Sequence, residues 1–396
     1  MNQAFARVMV LVTVILMDIL GGAEVDLFVP SFPEIKSHFN VSTILLEALL
    51  SVNFLGFCLS LFFIGGLADR YGRKPIILLG LVIFIIGSGL CSLASSYNFL
   101  LMGRFLQGFG VAAPATLCFL IIADSYPIAK QQYFMGVLNG LMNVAVAGAP
   151  VVGSYITMYF HWQGNFIALL ALGIPVLTMT MLFVPQSKLP EIKEPISLSG
   201  YMPIFKSKSL MLLIGIAVFM CVPYWIFLGM SPILYMKDLG VSLEHYGYYQ
   251  GVWALVFALG SIFFGLVINK FPAKKMLKFA AYTCLIGLSV IMLVAALDIK
   301  DPLIIALSLM PFTIGTIIPA VIIYPITLNF MPQAKGKVSA LIRGLFFIVT
   351  ALGLEFAGYC YQGSFRNIGI IISFFIMIGV INLFFVIKNR EIAKFF

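Results

Sequence analysis

Long apolar segments recur along the whole chain and constrain its fold more than any other feature. Each is close to the ~20 residues that a helix needs to cross a bilayer. Turn residues and charges place twelve of them at 7–30, 43–66, 75–95, 98–122, 132–158, 164–184, 209–236, 243–269, 276–297, 302–326, 336–360 and 366–388. With 62% of the 396 residues hydrophobic and 10% charged, a polar surface cannot cover a soluble fold. The sequence therefore predicts an all-α membrane protein with twelve transmembrane helices.

Basic residues are distributed unevenly among the loops that join these segments. When successive loops are assigned to alternate sides, eighteen Lys and Arg fall on one side and four (Lys36, Lys237, Lys300 and Arg366) on the other. The positive-inside rule places the basic side, with both termini, in the cytoplasm. The formal net charge of +9 is thus interpreted as a topological signal and not as a nucleic-acid-binding surface.

A polar stretch divides the chain into two similar halves. Residues 185–208 are rich in Pro, Ser and Lys, which is typical of a linker, here a cytoplasmic one between six-helix bundles at 1–184 and 209–396. The segment GGLADRYGRKP at Gly65–Pro75 is echoed 200 residues later by GLVINKFPAKK at Gly265–Lys275. Two pseudo-symmetric bundles that face a central cavity are the arrangement expected of transporters built from such repeats.

The segment Gly65–Pro75 closely resembles motif A of the major facilitator superfamily. A glycine without a Cβ permits close helix packing or a tight reversal of the chain. The resemblance implies a conformational latch between the halves, formed by Gly65, Asp69, Arg70, Gly72 and Arg73. Arg70, Arg73 and Lys74 are expected at the cytoplasmic surface.

Two further segments resemble motifs of the same family. Leu100–Gly110 is similar to motif B and contains Arg104, and a cation inside a span is costly unless it is paired or hydrated. In the fifth span, Gly148, Pro150 and Gly153 resemble motif C, the antiporter signature. Pro and small residues there kink the helix and allow close approach of its neighbours. Motif C marks exporters in the family.

The end of the first span resembles the Bcr/CflA and MdfA-like drug/proton antiporters of this superfamily. Asp26 and Pro30 form their Asp-x-x-x-Pro pattern, and Asp18 precedes Asp26 by eight residues, as in those antiporters. Glu24 and Arg343 are charges beyond the family pattern. Further matches lie at Ser231–Ile233, Lys335–Ala340 and Gly353–Glu355.

This resemblance implies a proton-coupled exporter of lipophilic, often cationic, small molecules, with the major facilitator fold, in a bacterial inner membrane. Its partners would be a small-molecule substrate, protons and the lipid bilayer, with no nucleic acid. The protein is expected to be a monomer and not an enzyme. It is expected to need no cofactor or metal, since the proton gradient supplies the energy.

Helix geometry sorts the three acids of the first span. Asp18 and Asp26 lie about 80° apart around the axis and ~12 Å apart along it, so they can share a cavity-facing side. Glu24 lies about 160° from Asp26 and should face elsewhere. Arg104 is level with Asp26, and helices one and four are neighbours in the family that the chain resembles, which predicts an Arg104–Asp26 pair. We expect Asp18 and Asp26 to carry protons, with Arg104 tuning them and Glu24 as a further candidate.

A substrate cavity needs apolar and aromatic walls with few polar groups. Spans seven and ten line the cavity in the family that the chain resembles, which implies Tyr224, Trp225 and Tyr324 as candidates, with Asn143 of span five, beside Asp18 and Asp26. Glu355 is expected to be structural, and Arg343 to extend towards the interface.

Other functional classes lack their motifs. The chain has no phosphate-binding Gly-x-x-x-x-Gly-Lys-Ser/Thr loop and no His-Glu-x-x-His zinc site. Composition alone does not exclude a channel, although the three motifs favour alternating access. The alternative within the fold is a dedicated exporter of one metabolite, such as a siderophore, amino acid or sugar.

Overall fold

The computed structural model describes residues 3–186 and 198–396, and the described residues contain no strand. The helices are α1 Gln3–Asp26, α2 Phe32–Phe39, α3 Thr43–Tyr71, α4 Arg73–Ser92, α5 Tyr97–Ser125, α6 Ile128–Phe183, α7 Met202–Lys206, α8 Lys208–Phe219, α9 Val222–Pro232, α10 Leu243–Val267, α11 Ala273–Ala296, α12 Pro302–Phe330, α13 Lys335–Cys360 and α14 Phe365–Lys388. The predicted all-α class is confirmed.

Eleven helical stretches in the described part are long and apolar enough to cross a membrane, and one of them is long enough for two crossings. Helix α6 has 56 residues, which would extend ~84 Å if it were straight. That length is almost three times the ~30 Å of a bilayer core. Its backbone leaves the helical region at His161 (φ 59°, ψ −176°). The break falls in the predicted gap between 158 and 164, so α6 supplies two spans.

The first helix ends earlier than predicted, at Asp26 and not at residue 30. Pro30 has no N–H to donate to the carbonyl of Asp26, and its ring opposes continuation of the helix. The chain instead bends and forms a short 3-10 turn at Val29–Ser31, followed by α2. Asp26 is therefore the last helical residue of the span.

The seventh predicted span is not one continuous helix. Helix α8 ends at Phe219 and α9 begins at Val222, because Pro223 cannot donate to the carbonyl four residues earlier. The Thr316 hydroxyl of α12 donates to the free carbonyl of Met220 at 2.7 Å. An interruption inside a span is tolerated where neighbouring helices satisfy the freed backbone groups in this way.

The chain forms two compact units, and the division between them does not coincide with the linker. Unit 1 comprises Met1–Tyr126, Leu141–Tyr201 and Met331–Leu341, and unit 2 comprises Pro127–Gly140, Met202–Phe330 and Ile342–Phe396. Each unit therefore includes the first turns of a helix from the other half of the sequence. The domain boundaries at 184 and 209 stay a prediction.

The helices inside each unit pack through small residues. In unit 1, α5 packs against α1, α3 and α4. A Cβ on Gly87 would lie 2.6 Å from the backbone nitrogen of Gln107. In unit 2, α12 packs against α8, α10 and α11, and a Cβ on Gly287 would lie 2.6 Å from the nitrogen of Phe312. The same device thus brings α4 onto α5 and α11 onto α12, as an internal repeat requires.

Candidate functional site

A fully buried ion pair joins α1 and α5 inside unit 1. Arg104 Nη1 lies 2.8 Å from Glu24 Oε1, and the two side chains are 0% and 1% exposed. Two unit charges in such surroundings are tolerated only when they are paired and hydrogen-bonded. Glu24 therefore compensates the charge of Arg104.

Neutral polar groups and an aromatic ring surround this pair. Asn53 Nδ2 donates to Glu24 Oε1 at 2.7 Å and to the Arg104 carbonyl at 3.1 Å. Arg104 Nη1 also donates to Gln107 Oε1 at 2.8 Å, and Gln107 in turn donates to Ser88. The ring of Phe28 lies 4.0 Å from the guanidinium carbon, a cation–π contact. Asn53 on α3 was missed at the sequence level because nothing in its own segment marks it.

The predicted Arg104–Asp26 pair is wrong, and the packing of α1 explains why. A Cβ on Gly21 would lie 2.6 Å from Ala115 Cβ, so the Gly21 face of α1 is the one that touches α5. Glu24 follows Gly21 by three residues and lies on that face. Asp26 lies around the axis from it, at the end of the helix. Equal depth in the membrane was not sufficient to predict the partner of Arg104, because the direction in which each carboxylate leaves α1 also matters.

Asp18 and Asp26 belong to a different face of α1. A Cβ on Gly22 would lie 3.2–3.3 Å from Met142 and Val146 of α6, so this face packs on α6. Asp18 precedes Gly22 by four residues and Asp26 follows it by four, which places all three on one side. Asp18 is 1% exposed, whereas Asp26 is half-buried. The half-buried side chain of Asn143 belongs to the same part of α6.

The motif C residues lie on α6 just beyond this contact. Gly153 packs so closely on α1 that a Cβ would lie 1.8 Å from the carbonyl oxygen of Leu27. Gly148 has nothing within 4 Å of the same position. Pro150 lies within the helix and is half-buried. Among the three, Gly153 is the residue whose small size the packing requires.

Motif A forms a second constellation, at the end of α3. The Asp69 carboxylate accepts hydrogen bonds from the backbone N–H groups of Gly336 (2.8 Å) and Lys337 (2.9 Å) in the first turn of α13. A carboxylate there is stabilised by the helix dipole and satisfies free N–H groups. A Cβ on Gly65 would lie 2.6 Å from the carbonyl oxygen of Gly336. Residues from both halves of the sequence thus meet within unit 1.

A chain of charges continues from Asp69. Arg73 lies 2.6 Å from Asp69 Oδ1 and 3.2 Å from Asp124 Oδ2, and Lys335 lies 2.8 Å from Asp124 Oδ1. Arg73 is buried, so the expectation that it lies at the surface is wrong. Two carboxylates draw its guanidinium inward. Asp124, at the end of α5, was missed because it stands fifty-one residues from Arg73 in the sequence.

The remaining motif A residues shape the turn. Gly72 has φ 92° and ψ 164°, a conformation that favours glycine, and it separates α3 from α4. The Arg70 guanidinium lies over the Tyr71 ring at 5.6 Å, and Lys74 donates to the Met181 carbonyl at 2.8 Å.

Tyr201, in the turn before α7, lies near the Asp69 carboxylate. Burial and this carboxylate raise the pKa of Tyr201 to about 12, so its phenol stays protonated at neutral pH.

Unit 2 contains an aromatic cluster around the predicted cavity residues of α9. Tyr224 stacks on Trp253 of α10 with ring centroids 5.1 Å apart, and Trp225 contacts Phe346 edge-on at 6.1 Å. Trp253 is 3% exposed, and no described residue accepts a hydrogen bond from its indole N–H. Tyr324 is half-buried in the same unit. Trp253 was missed because an aromatic residue in an apolar span is indistinguishable from packing.

The last predicted residues have less specific positions. Glu355 is exposed on α13, and Arg343 is half-buried near the start of that helix. Residues 187–197 of the predicted linker lie outside the described residues. Within 3–186 and 198–396, no three His, Cys, Asp or Glu side chains come together in a metal-binding arrangement.

These features define a class of protein, the polytopic helical membrane proteins that keep charged groups inside their helix packing. The family model described as Major Facilitator Superfamily matches residues 14–353. Because that match covers most of the 396 residues, the chain belongs to the major facilitator superfamily of membrane transporters. The predicted family is confirmed, and its members are transporters and not enzymes.

Similar proteins add detail at two levels. Multidrug resistance protein MdtL of Salmonella heidelberg (strain SL476) and of Salmonella typhimurium (strain LT2) are each 30% identical over 236 residues. The match spans 58% of this chain and 58% of each relative, less than two thirds of their length.

Solved structures extend the likeness to nearly the whole chain. The proton:xylose symporter XylE bound to 6-bromo-6-deoxy-D-glucose matches with TM-score 0.76 at 16% identity, over 100% of this chain and 99% of that one. The human organic anion transporter MFSD10 matches with TM-score 0.74 at 16% identity, over 97% of this chain and 100% of that one. At this identity, the likeness shows the fold alone.

Proposed function

We propose that this protein is a proton-coupled exporter of lipophilic, often cationic, small molecules across a bacterial inner membrane. It exchanges protons for substrate by alternating access, driven by the proton gradient. We infer that it acts as a monomer with both termini in the cytoplasm. The relatives named multidrug resistance proteins support an exporter of drugs.

The observation that carries the proposal is the separation of the acids of α1. Glu24 neutralises Arg104 in a buried pair. Asp18 and Asp26 lie four residues before and after Gly22, on the face of α1 that packs on α6. Carboxylates inside the membrane are costly and mark proton and substrate pathways. Asp18 and Asp26 are therefore the proton carriers of the proposal, and Glu24 and Arg104 hold the structure around them.

The aromatic residues of α9 and α10 suit the same substrates. Trp225 is 36% exposed and offers a large face with few polar groups, which favours lipophilic compounds and attracts cations, while Tyr224 and Trp253 pack behind it. Asn143 and Tyr324 would add hydrogen-bonding groups. A cation that binds near Asp18 or Asp26 competes electrostatically with the proton, and this competition couples the two movements.

The motif A contacts supply the conformational part of the cycle. Asp69 holds the start of α13 through two backbone N–H groups, and Arg73, Asp124 and Lys335 extend this contact. In the proposal this constellation is a latch that stabilises the outward-open state. It must open whenever the cytoplasmic side opens.

The test must distinguish the proposed function from its alternative, a dedicated exporter of one metabolite. The first measurement is substrate-induced proton release from purified protein in detergent, for wild type, Asp18→Asn and Asp26→Asn. The compounds are lipophilic cations, a neutral drug and a siderophore. Glu355→Gln serves as the matched control, because Glu355 is an exposed acid.

The proposal expects release by several unrelated compounds, lost in one or both aspartate variants and kept in Glu355→Gln. Release by a single metabolite would identify a dedicated exporter. If substrates bind measurably but none releases protons, direct competition between proton and substrate is wrong.

A further inference from the structure

A groove of about 700 Å³ lies between α8, α13 and α14 in unit 2, and none of the candidate site residues lines it. Its walls are apolar and include Phe219, Leu345 and Phe385, the last of which is 52% exposed. Lys208 stands at one end of the groove and Asn382 lies part of the way along it. The volume is within the ~300–1,000 Å³ typical of ligand sites.

The length of the groove matches one leaflet of the membrane. Lys208 and Phe219 are the first and last residues of α8, and eleven residues of helix rise ~16 Å. The hydrocarbon core of a bilayer is ~30 Å thick. An acyl chain that enters from the headgroup level at Lys208 can therefore follow the groove to about the middle of the bilayer.

The headgroup end is rich in positive charge. Asn389 Nδ2 donates to Ser209 Oγ at 3.0 Å, which fixes the end of α14 beside the start of α8. Lys388 and Arg390 flank Asn389 in the sequence, and Lys208 flanks Ser209. Lys208 lines this end of the groove, and the segment that carries Lys388 and Arg390 lies beside it, with the Lys388 ammonium 4.0 Å from the Phe384 ring. Basic clusters between transmembrane helices bind anionic lipid headgroups.

Lys208 is an exposed cation at the end of the groove. Glu391 accepts a hydrogen bond from Ser209 Oγ at 2.5 Å, and none of the described carboxylates lies within ion-pair distance of Lys208. Lys208 also lies in the first turn of α8, where the positive end of the helix dipole disfavours a cation. A phosphate at this place would satisfy both the ammonium and the helix terminus.

Gly215 and Asn382 form part of the groove wall at mid-length. A Cβ on Gly215 would lie 2.8 Å from Asn382 Nδ2, so a larger residue there would displace Asn382 and disrupt the wall between α8 and α14. The geometry points to a binding site for one anionic phospholipid, with its phosphate at Lys208 and one acyl chain in the groove past Gly215. The site is independent of proton coupling, since it contains none of the α1 acids.

Native mass spectrometry of the whole purified protein tests this site. Phosphatidylglycerol and phosphatidylcholine with the same chains are added separately, and bound lipid is counted for wild type, Lys208→Gln, Gly215→Leu and Gly358→Leu. Gly358 is the matched control, because it lies on α13 with nothing within 4 Å of its Cβ position. Size-exclusion profiles verify that each variant is folded.

Wild type and Gly358→Leu are expected to bind one phosphatidylglycerol in preference to phosphatidylcholine. Lys208→Gln should reduce that preference about fivefold, the effect of one cation near a lipid surface. Gly215→Leu should lose the bound lipid of either kind. Equal binding of both lipids by wild type would overturn the proposal. An unchanged preference in Lys208→Gln would also overturn it, and this holds even if Gly215→Leu fails to fold.

Discussion

At the scale of single residues, charge compensation organises unit 1. Arg104 is fully buried and owes its place to Glu24, Asn53 and Gln107 together. Removal of one member of a buried pair leaves an uncompensated charge, which costs about 3–5 kcal/mol. The hydrogen bonds among Arg104, Glu24 and Asn53 connect α1, α3 and α5. They therefore hold in place the helix that also carries Asp18 and Asp26.

Glu24→Gln should therefore lower the free energy of unfolding by about 3–5 kcal/mol. The neutral amide cannot balance the Arg104 guanidinium. Thermal unfolding in detergent, followed by tryptophan fluorescence, measures the loss. Asp26→Asn is the control and should change stability little, because Asp26 is half-buried and outside the pair. The double variant Glu24→Gln, Arg104→Gln should recover much of the loss. A Glu24→Gln protein as stable as wild type would show that the pair is not compensating.

The turn between α3 and α4 gives a second test at this scale. Gly72 has φ 92°, so Gly72→Ala should cost about 1–3 kcal/mol of stability through backbone strain. The same thermal unfolding assay measures it. Gly247→Ala is the control, because Gly247 has open space around its Cβ position and no positive φ. Equal effects of the two substitutions would contradict the strain argument.

At the scale of elements, prolines and glycines decide where the helices end and how closely they pack. Pro30 ends α1 at Asp26, and Pro223 separates α8 from α9. The sequence contained both prolines, but the first predicted span extended to Pro30 and the seventh ran through Pro223. Hydropathy measures the length of an apolar segment and not the continuity of its hydrogen bonds. Tertiary contacts such as Thr316 to Met220 allow the interruption.

The packing of α6 on α1 can be tested with two glycines of one motif. Gly153→Val should separate the helices, because a Cβ there would lie 1.8 Å from the Leu27 carbonyl oxygen. Overpacking of this kind costs about 1–3 kcal/mol or more. Gly148→Val is the control, with nothing within 4 Å. We expect a lower unfolding temperature and reduced transport in Gly153→Val alone. Similar behaviour of both variants would mean that this contact does not set the packing.

At the scale of the whole molecule, the duplication is expressed in packing and not only in sequence. Gly65 approaches the backbone of Gly336, and its repeat partner Gly265 approaches that of Gly136 within unit 2. Each glycine lies in the last two turns of the second span of its half and packs against the start of a helix from the other half. The repeated segments therefore share a structural role, although only the first copy carries the Asp69 contacts.

Orientation in the membrane is a prediction of the whole molecule. Because basic residues are concentrated in alternate loops, green fluorescent protein fused after Phe396 should fluoresce in the cytoplasm. Alkaline phosphatase fused after Lys237 should be active outside. Exchange of the two reporters is the control and should silence both. The reverse pattern would place the termini outside the cytoplasm.

The sequence by itself determined the class, the number of spans, the break near His161 and the motifs that identify the family. These follow from local properties: apolar length, turn residues and short ordered patterns. The tertiary structure alone decided that Glu24 pairs with Arg104 and that Arg73 is buried. It also decided that Asn53 belongs to the Arg104 network and Asp124 to the Asp69 network. Each of those outcomes depends on which face of one helix meets another. Residues far apart in the chain choose partners by direction and distance, and neither is written in the spacing of a single segment.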